Sequence, residues 1–215
     1  MQILAVTAVE AEAEAVRSCG FDEVVVAGIG RTNAAVTTTR AMLALGPFDV
    51  VLSVGIAGAL PNSDLAIGDL VAACHCWYAE EGIITPEGWR DMESLGFPLG
   101  DFSGNAVPCD KALVASLGDA VTICDIATVA TCSGTNQAAT VLVERTGCSA
   151  EAMEGAAVVH TATILGAAAT EIRAISNTTG DRPTQTWDIN TALQTLRDGV
   201  PALIDRIRQD NTGAA

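Results

Sequence analysis

The sequence predicts an α/β fold: one three-layer domain over residues 1–215, with a central mixed β-sheet flanked by helices. Segments with the composition of buried strands alternate with segments of helical composition along the whole chain, and no repeat or linker interrupts them. Apolar residues make up 49% of the chain but aromatic residues only 4%, so Ala, Val, Ile and Leu must form the core. A chain of 215 residues can bury such a core without disulfides or metal.

The first half of the chain predicts four strands and two helices. The strands cover residues 2–8, 23–30, 49–60 and 67–80, and the helices cover residues 9–20 and 32–46. Glycine ends both helices, at Gly20 and at Gly46. The third strand is apolar almost throughout, which is typical of a strand buried on both faces, and the fourth is long enough to bend.

The second half begins with residues 79–106, which Gly and Pro interrupt and which we expect to form a functional loop. We then expect helices over residues 109–118, 135–147, 151–166 and 188–210, and strands over residues 120–132 and 171–176. Pro201 lies inside the last helix, so a kink or a break is expected there.

The net charge of −15 argues against nucleic acid and anionic membranes as partners, because an acidic surface repels phosphate groups. Seven cysteines occur without a C-x-x-C motif, and unpaired thiols favour a reducing compartment. The first residues carry several Glu and no basic region, unlike a signal peptide, and no apolar run is long enough to span a bilayer. We therefore expect a cytoplasmic protein.

Two motifs suggest a metal or a cofactor, but neither is complete. Cys74, His75 and Cys76 lie in a predicted strand, where alternate residues face opposite sides, and the distant ligand pair that zinc needs is missing. Gly28 and Gly30 follow a strand like half of a dinucleotide-binding motif, but the next strand does not end in the acid that would hold a ribose. We expect no metal and no organic cofactor.

Two carboxylates and one amide are candidates for a site. Glu12 lies in the first helix, where the alternative is a solvated face shared with Glu10 and Glu14. Glu154 lies among small apolar residues, where a buried carboxylate needs hydrogen-bond donors such as ribose hydroxyls. Asn177 ends a buried strand, which is where open α/β sheets bind ligands, although a turn residue is the alternative.

The order and spacing of these motifs resemble the purine nucleoside phosphorylase/nucleosidase family over essentially the whole chain. The motifs are Glu12, "SVGIAG" at residues 53–58, Met153-Glu154 before a helix of small residues, and "RAISN" at residues 173–177. The nearest branches are the methylthioadenosine/S-adenosylhomocysteine nucleosidases and the futalosine hydrolases. The resemblance implies a nucleoside phosphorylase-like fold, a small-molecule nucleoside substrate and a homo-oligomer, a dimer or larger.

The resemblance also implies a role for each matching residue. The catalytic candidates are Glu12, which would orient and deprotonate the attacking water, and Asn177, which would bind the N7 edge of the purine. Met153 would pack on the sugar, and Glu154 would accept hydrogen bonds from the ribose hydroxyls. The loop beneath the sugar and the base supplies further substrate-binding candidates, which are Ser53, Val54, Gly55, Ile56 and Ala57. Thr135 is the last candidate, because backbone groups of residues 132–135 are the alternative to Asn177 for recognising the base.

Two departures from the family pattern bear on the chemistry. A phosphorylase holds phosphate with Arg and Ser, and the matching positions here are Ser53 and Ile56, which favours water as the nucleophile, although Arg31 remains a possible cation. The methylthioadenosine branch has Asp where this chain has Asn177. An amide can donate to O6 of a 6-oxopurine and accept from a protonated N7, which favours hypoxanthine over adenine.

The aromatic residues bear on the 5′ end of the substrate, which in futalosine is a carboxyphenyl ketone. The aromatic side chains that could form the wall of an apolar 5′ pocket are Trp77, Tyr78, Trp89, Phe97 and Phe102. Arg90 could bind the carboxylate of the 5′ group. We therefore expect a futalosine hydrolase that releases hypoxanthine on the route to menaquinone. The alternatives are a methylthioadenosine-type nucleosidase, a nucleoside phosphorylase and a sensor that binds nucleosides without turnover.

Overall fold

The computed structural model describes residues 1–61 and 63–210 and confirms a mixed β-sheet flanked by helices, in the predicted order. The strands are β1 Ile3–Thr7, β2 Glu23–Val26, β3 Val50–Ala59, β4 Leu70–Tyr78, β5 Gly82–Thr85, β6 Gly88–Asp91, β7 Ala106–Pro108, β8 Thr122–Thr128, β9 Ala150–Ala152 and β10 Ala168–Thr178. The helices are α1 Glu10–Val16, α2 Arg31–Leu45, α3 Lys111–Leu117, α4 Asn136–Thr146, α5 Gly155–Ile164 and α6 Ile189–Asp210.

Five strands of the main sheet close into a ring. The ring runs from β3 through β10, β4, β8 and β9 and back to β3, while β1 and β2 extend from β3 and β7 pairs with β4. One edge of β3 pairs with β10 along its whole length. The other edge pairs with β1 as far as Ser53 and with β9 from Gly58 onward. Residues 54–57 pair with neither strand on this second edge, and this gap positions the site described below.

The core has two main layers, one on each side of the sheet. Helices α2 and α5 pack on one side, through side chains such as Ala34 and Val158. Helices α1, α3 and α6 pack on the other, through side chains such as Val16, Leu117 and Leu203. The small residues of α5 allow its backbone to approach the strands closely.

A break at Pro201, one of the two expected outcomes, does not occur in the last helix. Helix α6 continues through this residue from Ile189 to Asp210 without a break. Val200, Leu203 and Ile204 are buried around it, so packing against α1 and α3 offsets the hydrogen bond that proline removes. None of the helices in residues 1–61 and 63–210, including this one, is long and apolar enough to cross a membrane.

Two short elements also differ from the prediction. Residues 79–106 contain a β-hairpin, β5–β6, where an irregular loop was expected. The predicted helix over residues 151–166 begins only at Gly155, because residues 150–152 pair as β9 between β3 and β8. Met153 and Glu154 therefore lie at a junction between strand and helix, and this position brings both to the gap in the sheet.

Candidate active site

A cavity of about 470 Å³ opens at the gap beside β3. Its lining combines the C-terminal half of β3, the start of α1, residues 132–134, residues 151–154 and the end of β10. Residues 176–187, here called the rim segment, contribute Ser176, Asn177, Arg182, Gln185 and Trp187 to the lining. Segments that are far apart in the chain therefore meet around one cavity.

Glu12 is buried at the bottom of this gap. Its Oε1 accepts a hydrogen bond from Ile56 N at 2.9 Å, an N–H on the edge of β3 that faces no strand. Its Oε2 accepts from Ala8 N at 2.9 Å and from Val9 N at 3.2 Å at the start of α1. Glu10 and Glu14 are exposed on the same helix. The alternative of a solvated helix face is therefore wrong for Glu12, which three backbone N–H groups hold in one orientation.

Glu154 is also buried, at the residue before α5. Its Oε1 accepts from Gly30 N at 3.0 Å, and its Oε2 accepts from Arg173 Nη2 at 3.2 Å. The glycine turn after β2 therefore presents a backbone N–H to a carboxylate of the protein itself. This contact indicates that the turn at Gly28 and Gly30 has a role within the fold and does not bind a dinucleotide.

Arg173 connects the two carboxylates, and the sequence analysis did not identify it. The side chain is fully buried in β10, and its Nε forms an ion pair with Glu171 Oε1 at 2.7 Å. Its Nη2 also donates to Ser53 Oγ at 3.1 Å, and its Nη1 lies 4.0 Å from Glu12 Oε1. The available signal was "EIRAIS", which places two charges in an otherwise apolar strand. We call Glu12, Ser53, Glu154, Glu171 and Arg173 the arginine cluster.

Glu171 is a fully buried carboxylate of the arginine cluster. Burial raises the pKa of its carboxyl group, while the charge and hydrogen bond of Arg173 and a hydrogen bond from Cys76 Sγ at 3.2 Å oppose that rise. A Cβ at Gly155 would overlap Glu171 Oε2, so only glycine allows α5 to start this close to the carboxylate. A Cβ at Gly55 would likewise overlap Arg173 Nη1 and Glu12 Oε1.

The residues of "SVGIAG" divide into two groups. They form strand β3 and not the loop that the resemblance implied. Ser53 and Val54 are fully buried. Ser53 belongs to the arginine cluster, and Gly55 lies against Glu12 and Arg173 of that cluster. Ile56 and Ala57 line the cavity itself.

Asn177 lies at a bulge in β10, where the register with β3 shifts between Ile175 and Asn177. It is buried and lines the cavity. Its Nδ2 donates to Thr178 O at 2.9 Å, and its Oδ1 accepts from Ser176 Oγ at 2.9 Å. One amide hydrogen and one lone pair of Oδ1 stay available for a ligand.

The remaining predicted residues lie on either side of the cavity. Met153 lines it, next to Glu154. Thr135 is the N-cap of α4, where its hydroxyl oxygen accepts from Ala138 N at 3.0 Å, and it is not among the described lining residues. Residues 132–134, just before it, do line the cavity.

Glu151 is a second lining residue that the sequence analysis missed. It accepts hydrogen bonds from Ser133 N at 2.9 Å and from Ser133 Oγ at 2.6 Å. Burial raises the pKa of its carboxyl group, although the bonds from Ser133 oppose the shift. Strand β9 carries this side chain, and three residues are too few to show a strand pattern in the sequence.

The aromatic residues of the 77–102 segment lie elsewhere. None of the five is among the described residues that line the cavity, so the expected 5′ wall is wrong for a single chain. Tyr78 and Phe102 pack on His160, and Trp89 lies under the guanidinium of Arg145.

The two arginines considered as anion-binding residues have other partners. The Arg90 guanidinium donates to the backbone carbonyl of Ser94 in the same segment. The Arg31 guanidinium, a possible phosphate cation, instead forms ion pairs with Glu80 and Glu81 at 3.2 and 2.7 Å.

Comparison with known proteins adds relatives across the whole chain. The family model described as the phosphorylase superfamily matches residues 21–208. The futalosine hydrolase of Acidothermus cellulolyticus is 36% identical, with 99% of this chain and 94% of that protein covered. The futalosine hydrolase of Streptomyces coelicolor is 32% identical, with 86% and 78% covered.

Solved structures share the fold at lower identity. A methylthioadenosine/S-adenosylhomocysteine nucleosidase of Colwellia psychrerythraea, in complex with adenine, superposes with a TM-score of 0.77 at 20% identity, covering 98% of this chain and 95% of that chain. The futalosine hydrolase of Helicobacter pylori superposes with a TM-score of 0.75 at 20% identity, covering 98% of both chains. At these identities the likeness establishes the fold alone.

Proposed function

The chain belongs to the phosphorylase superfamily, and we propose that it is a futalosine hydrolase, an enzyme that cleaves the N-glycosidic bond of futalosine with water and releases hypoxanthine. One observation carries the proposal. Two buried carboxylates, Glu12 and Glu154, line one cavity, and the guanidinium of the buried Arg173 lies 4.0 Å from the first and 3.2 Å from the second. The curated relatives at 32–36% identity are futalosine hydrolases, which supports the choice within the superfamily. The same hydrolysis step belongs to menaquinone biosynthesis.

The carboxylates suit the charge that develops on the sugar. N-glycosidic cleavage makes the ribosyl group cationic and the departing base anionic, so stabilising both charges lowers the barrier. Glu154 would accept hydrogen bonds from the ribose hydroxyls, and Met153 beside it would pack on the sugar. Because Gly30 N and Arg173 already fix the Glu154 carboxylate, little reorganisation is needed when the sugar binds.

Glu12 would act as the general base on the attacking water. Three backbone N–H groups orient its carboxylate. Oε2 already accepts two of these bonds, whereas Oε1 accepts one and keeps a lone pair for the attacking water. A positioned general base contributes about 10²- to 10⁴-fold in rate. Two of the described residues that line the cavity are cations, Arg182 at the mouth and Arg173. Three carboxylates already surround Arg173, so water is favoured over phosphate as the nucleophile. A phosphate near Arg173 would lie against Glu12 and Glu154.

Asn177 would read the base. Its free N–H can donate to O6 of hypoxanthine, and Oδ1 can accept from a protonated N7 as the base leaves. The backbone of residues 132–134 lines the same cavity and would contact the rest of the purine edge.

The 5′ group and the assembly complete the proposal. Val9 and Ile29 line the cavity and are 37% and 58% exposed, so an apolar 5′ group and a second subunit could cover them. We therefore propose a homo-oligomer in which a neighbouring subunit completes the 5′ pocket. All seven cysteines are free, which fits a cytoplasmic protein.

The test is release of free base from three nucleosides. The protein is incubated with futalosine, inosine and methylthioadenosine, first without phosphate and then with millimolar phosphate, and the products are separated by chromatography. Hypoxanthine should form from futalosine at a rate that phosphate does not change, and faster than from inosine. Ribose-1-phosphate products would instead indicate a phosphorylase, faster release of adenine would indicate a methylthioadenosine-type nucleosidase, and binding without release would indicate a sensor.

A further inference from the structure

We propose that Cys74, His75 and Asp125 form a binding site for a divalent transition metal ion of the zinc type, separate from the active-site cavity. Their three ligand atoms lie within 4.8 Å of one another. Cys74 Sγ is 3.0 Å and His75 Nδ1 is 2.9 Å from the same carboxylate oxygen, Asp125 Oδ1. None of the three is among the described residues that line the active-site cavity.

An irregularity in the sheet brings these side chains together. Strands β4 and β8 are parallel, and their register shifts so that Ala73 pairs with Cys124 but His75 pairs with Asp125. Cys74 is the extra residue of this bulge. Regular alternation would point Cys74 and His75 to opposite faces, but at the bulge both side chains reach one carboxylate. The sequence analysis noted that the distant ligand pair of a zinc site is missing, and the bulge supplies one distant partner, Asp125.

The donor set has the chemistry that zinc prefers. A thiolate sulfur, an imidazole nitrogen and a carboxylate oxygen bind zinc at about 2.0–2.3 Å, which places ligand atoms about 3.3–3.8 Å apart in a tetrahedral site. The present separations, from 2.9 Å to at most 4.8 Å, bracket these values, so small side-chain rotations would admit an ion. Three protein ligands leave the fourth position to water.

The surroundings fit a bound ion. Trp77 Nε1 donates to the other oxygen of Asp125, Oδ2, at 3.1 Å, so Oδ1 is left facing Cys74 and His75. Such outer hydrogen bonds orient metal-binding carboxylates. The side chains of His75 and Asp125 are 45% and 30% exposed, so an ion and its water can enter from solvent.

The test uses cobalt as a spectroscopic probe for zinc. The full chain, freed of metal with a chelator and kept reduced, is titrated with Co²⁺ while the thiolate-to-cobalt charge-transfer absorption is recorded, and zinc is then added in competition. We expect saturation at one Co²⁺ per chain and displacement by Zn²⁺. Cys74→Ser should abolish the charge-transfer band. His75→Gln should weaken binding at least tenfold, and Trp77→Phe should weaken it by about 10- to 100-fold.

Matched controls separate this site from general binding to an acidic protein. His160→Gln changes the other histidine of the chain, and Cys132→Ser changes an exposed thiol, so both should keep the wild-type titration. Absence of a saturable one-to-one phase with a charge-transfer band in the wild type would overturn the proposal without any variant. A band that survives Cys74→Ser in a folded protein, or equal losses in His75→Gln and His160→Gln, would overturn it as well.

Discussion

The arginine cluster and the rim segment both contribute side chains to the cavity, but they are held by different kinds of contact. In the cluster, hydrogen bonds join residues that are far apart in the chain, such as Glu12 to Ile56 and Arg173 to Ser53. In the rim segment local side-chain bonds, such as Asn177 to Thr178 and Arg182 to Gln185, occur beside bonds to distant residues, such as Thr179 to Ala59. The cluster is also buried and mostly charged, whereas much of the rim segment is exposed, so we expect substitutions in the cluster to cost more stability. Three predictions test this contrast and a fourth concerns Glu151, from the largest expected effect to the smallest.

Removing Arg173 should have the largest effect, because it leaves buried carboxylates without a counter-charge. We expect Arg173→Met to lower the free energy of unfolding by about 3–5 kcal/mol, measured by urea denaturation. Arg182→Met is the matched control, since Arg182 is exposed and loses a hydrogen bond to Gln185 Oε1 and its contact with the Trp187 ring, the latter worth about 0.5–1 kcal/mol. Equal losses in the two variants would remove the contrast between the two groups.

Glu12→Gln should separate chemistry from binding within the cluster. The amide keeps the shape of the side chain but cannot deprotonate water, so we expect kcat to fall by about 10²-fold or more, with a smaller change in KM. Glu14→Gln, on the exposed face of the same helix, should keep the wild-type rate. Near-normal turnover of Glu12→Gln would mean that another group activates the water.

Asn177→Asp should change specificity and leave the fold intact. The variant loses the NH₂ that would donate to O6, and an unpaired buried partner costs about 1–3 kcal/mol, so kcat/KM for futalosine should fall about 10- to 100-fold. A protonated Asp can donate to N7 and accept from the adenine amino group, so the ratio of adenine- to hypoxanthine-nucleoside cleavage should rise.

The measurement for Asn177→Asp is kcat/KM for matched adenine and hypoxanthine nucleosides at several pH values. Because a titratable group replaces an amide, the variant should also be more pH-dependent than the wild type. Asn190→Asp, at an exposed position of α6, is the control. An unchanged ratio would assign the choice of base to the backbone of residues 132–134.

Glu151 should give the smallest effect, on the pH dependence of stability. Burial raises its pKa in the folded protein above the ordinary value of 4.5. The folded state therefore holds the proton more tightly, so this contribution is full below pH 4.5 and is lost as the pH rises through the raised pKa. In thermal unfolding from pH 4 to about 8, Glu151→Gln should lose less stability than the wild type, by about 1.4 kcal/mol for each pH unit by which burial raises the pKa of Glu151.

Net charge must be controlled in that experiment, since removing any carboxylate reduces the repulsion in a chain of charge −15. Glu144→Gln removes an exposed carboxylate from α4 and corrects for this effect. If Glu151→Gln and Glu144→Gln give the same pH profile, the burial of Glu151 carries no measurable cost.

The sequence predicted the features that depend on local pattern. The order of strands and helices followed from apolar periodicity and glycine stops, and Glu154 was identified because a carboxylate stood among small apolar residues. The arginine cluster was not predicted as a unit, because Arg173 meets partners from β3, α1 and the start of α5 that only the closed ring brings together. The bulge at Cys74 and the three-residue β9 were missed since pairing with neighbouring strands, not composition, determines them. The break considered at Pro201 does not occur, because the burial of Val200, Leu203 and Ile204 outweighs the loss of one hydrogen bond.

The bond between Glu12 and the unpaired edge of β3 has a consequence for how this protein can change over generations. Glu12 offers acceptors at both ends of its carboxylate, to Ile56 N on one side and to Ala8 N and Val9 N on the other. A Gln would turn its NH₂ toward one of these donors, and an Ala would leave all three unpaired, at a cost of about 1–3 kcal/mol for each buried group. A descendant that abandoned catalysis would therefore still be selected to keep the acid, simply to stay folded. The inherited side chain would outlast the reaction, and an inactive copy of this gene would look, at this position, like an active one.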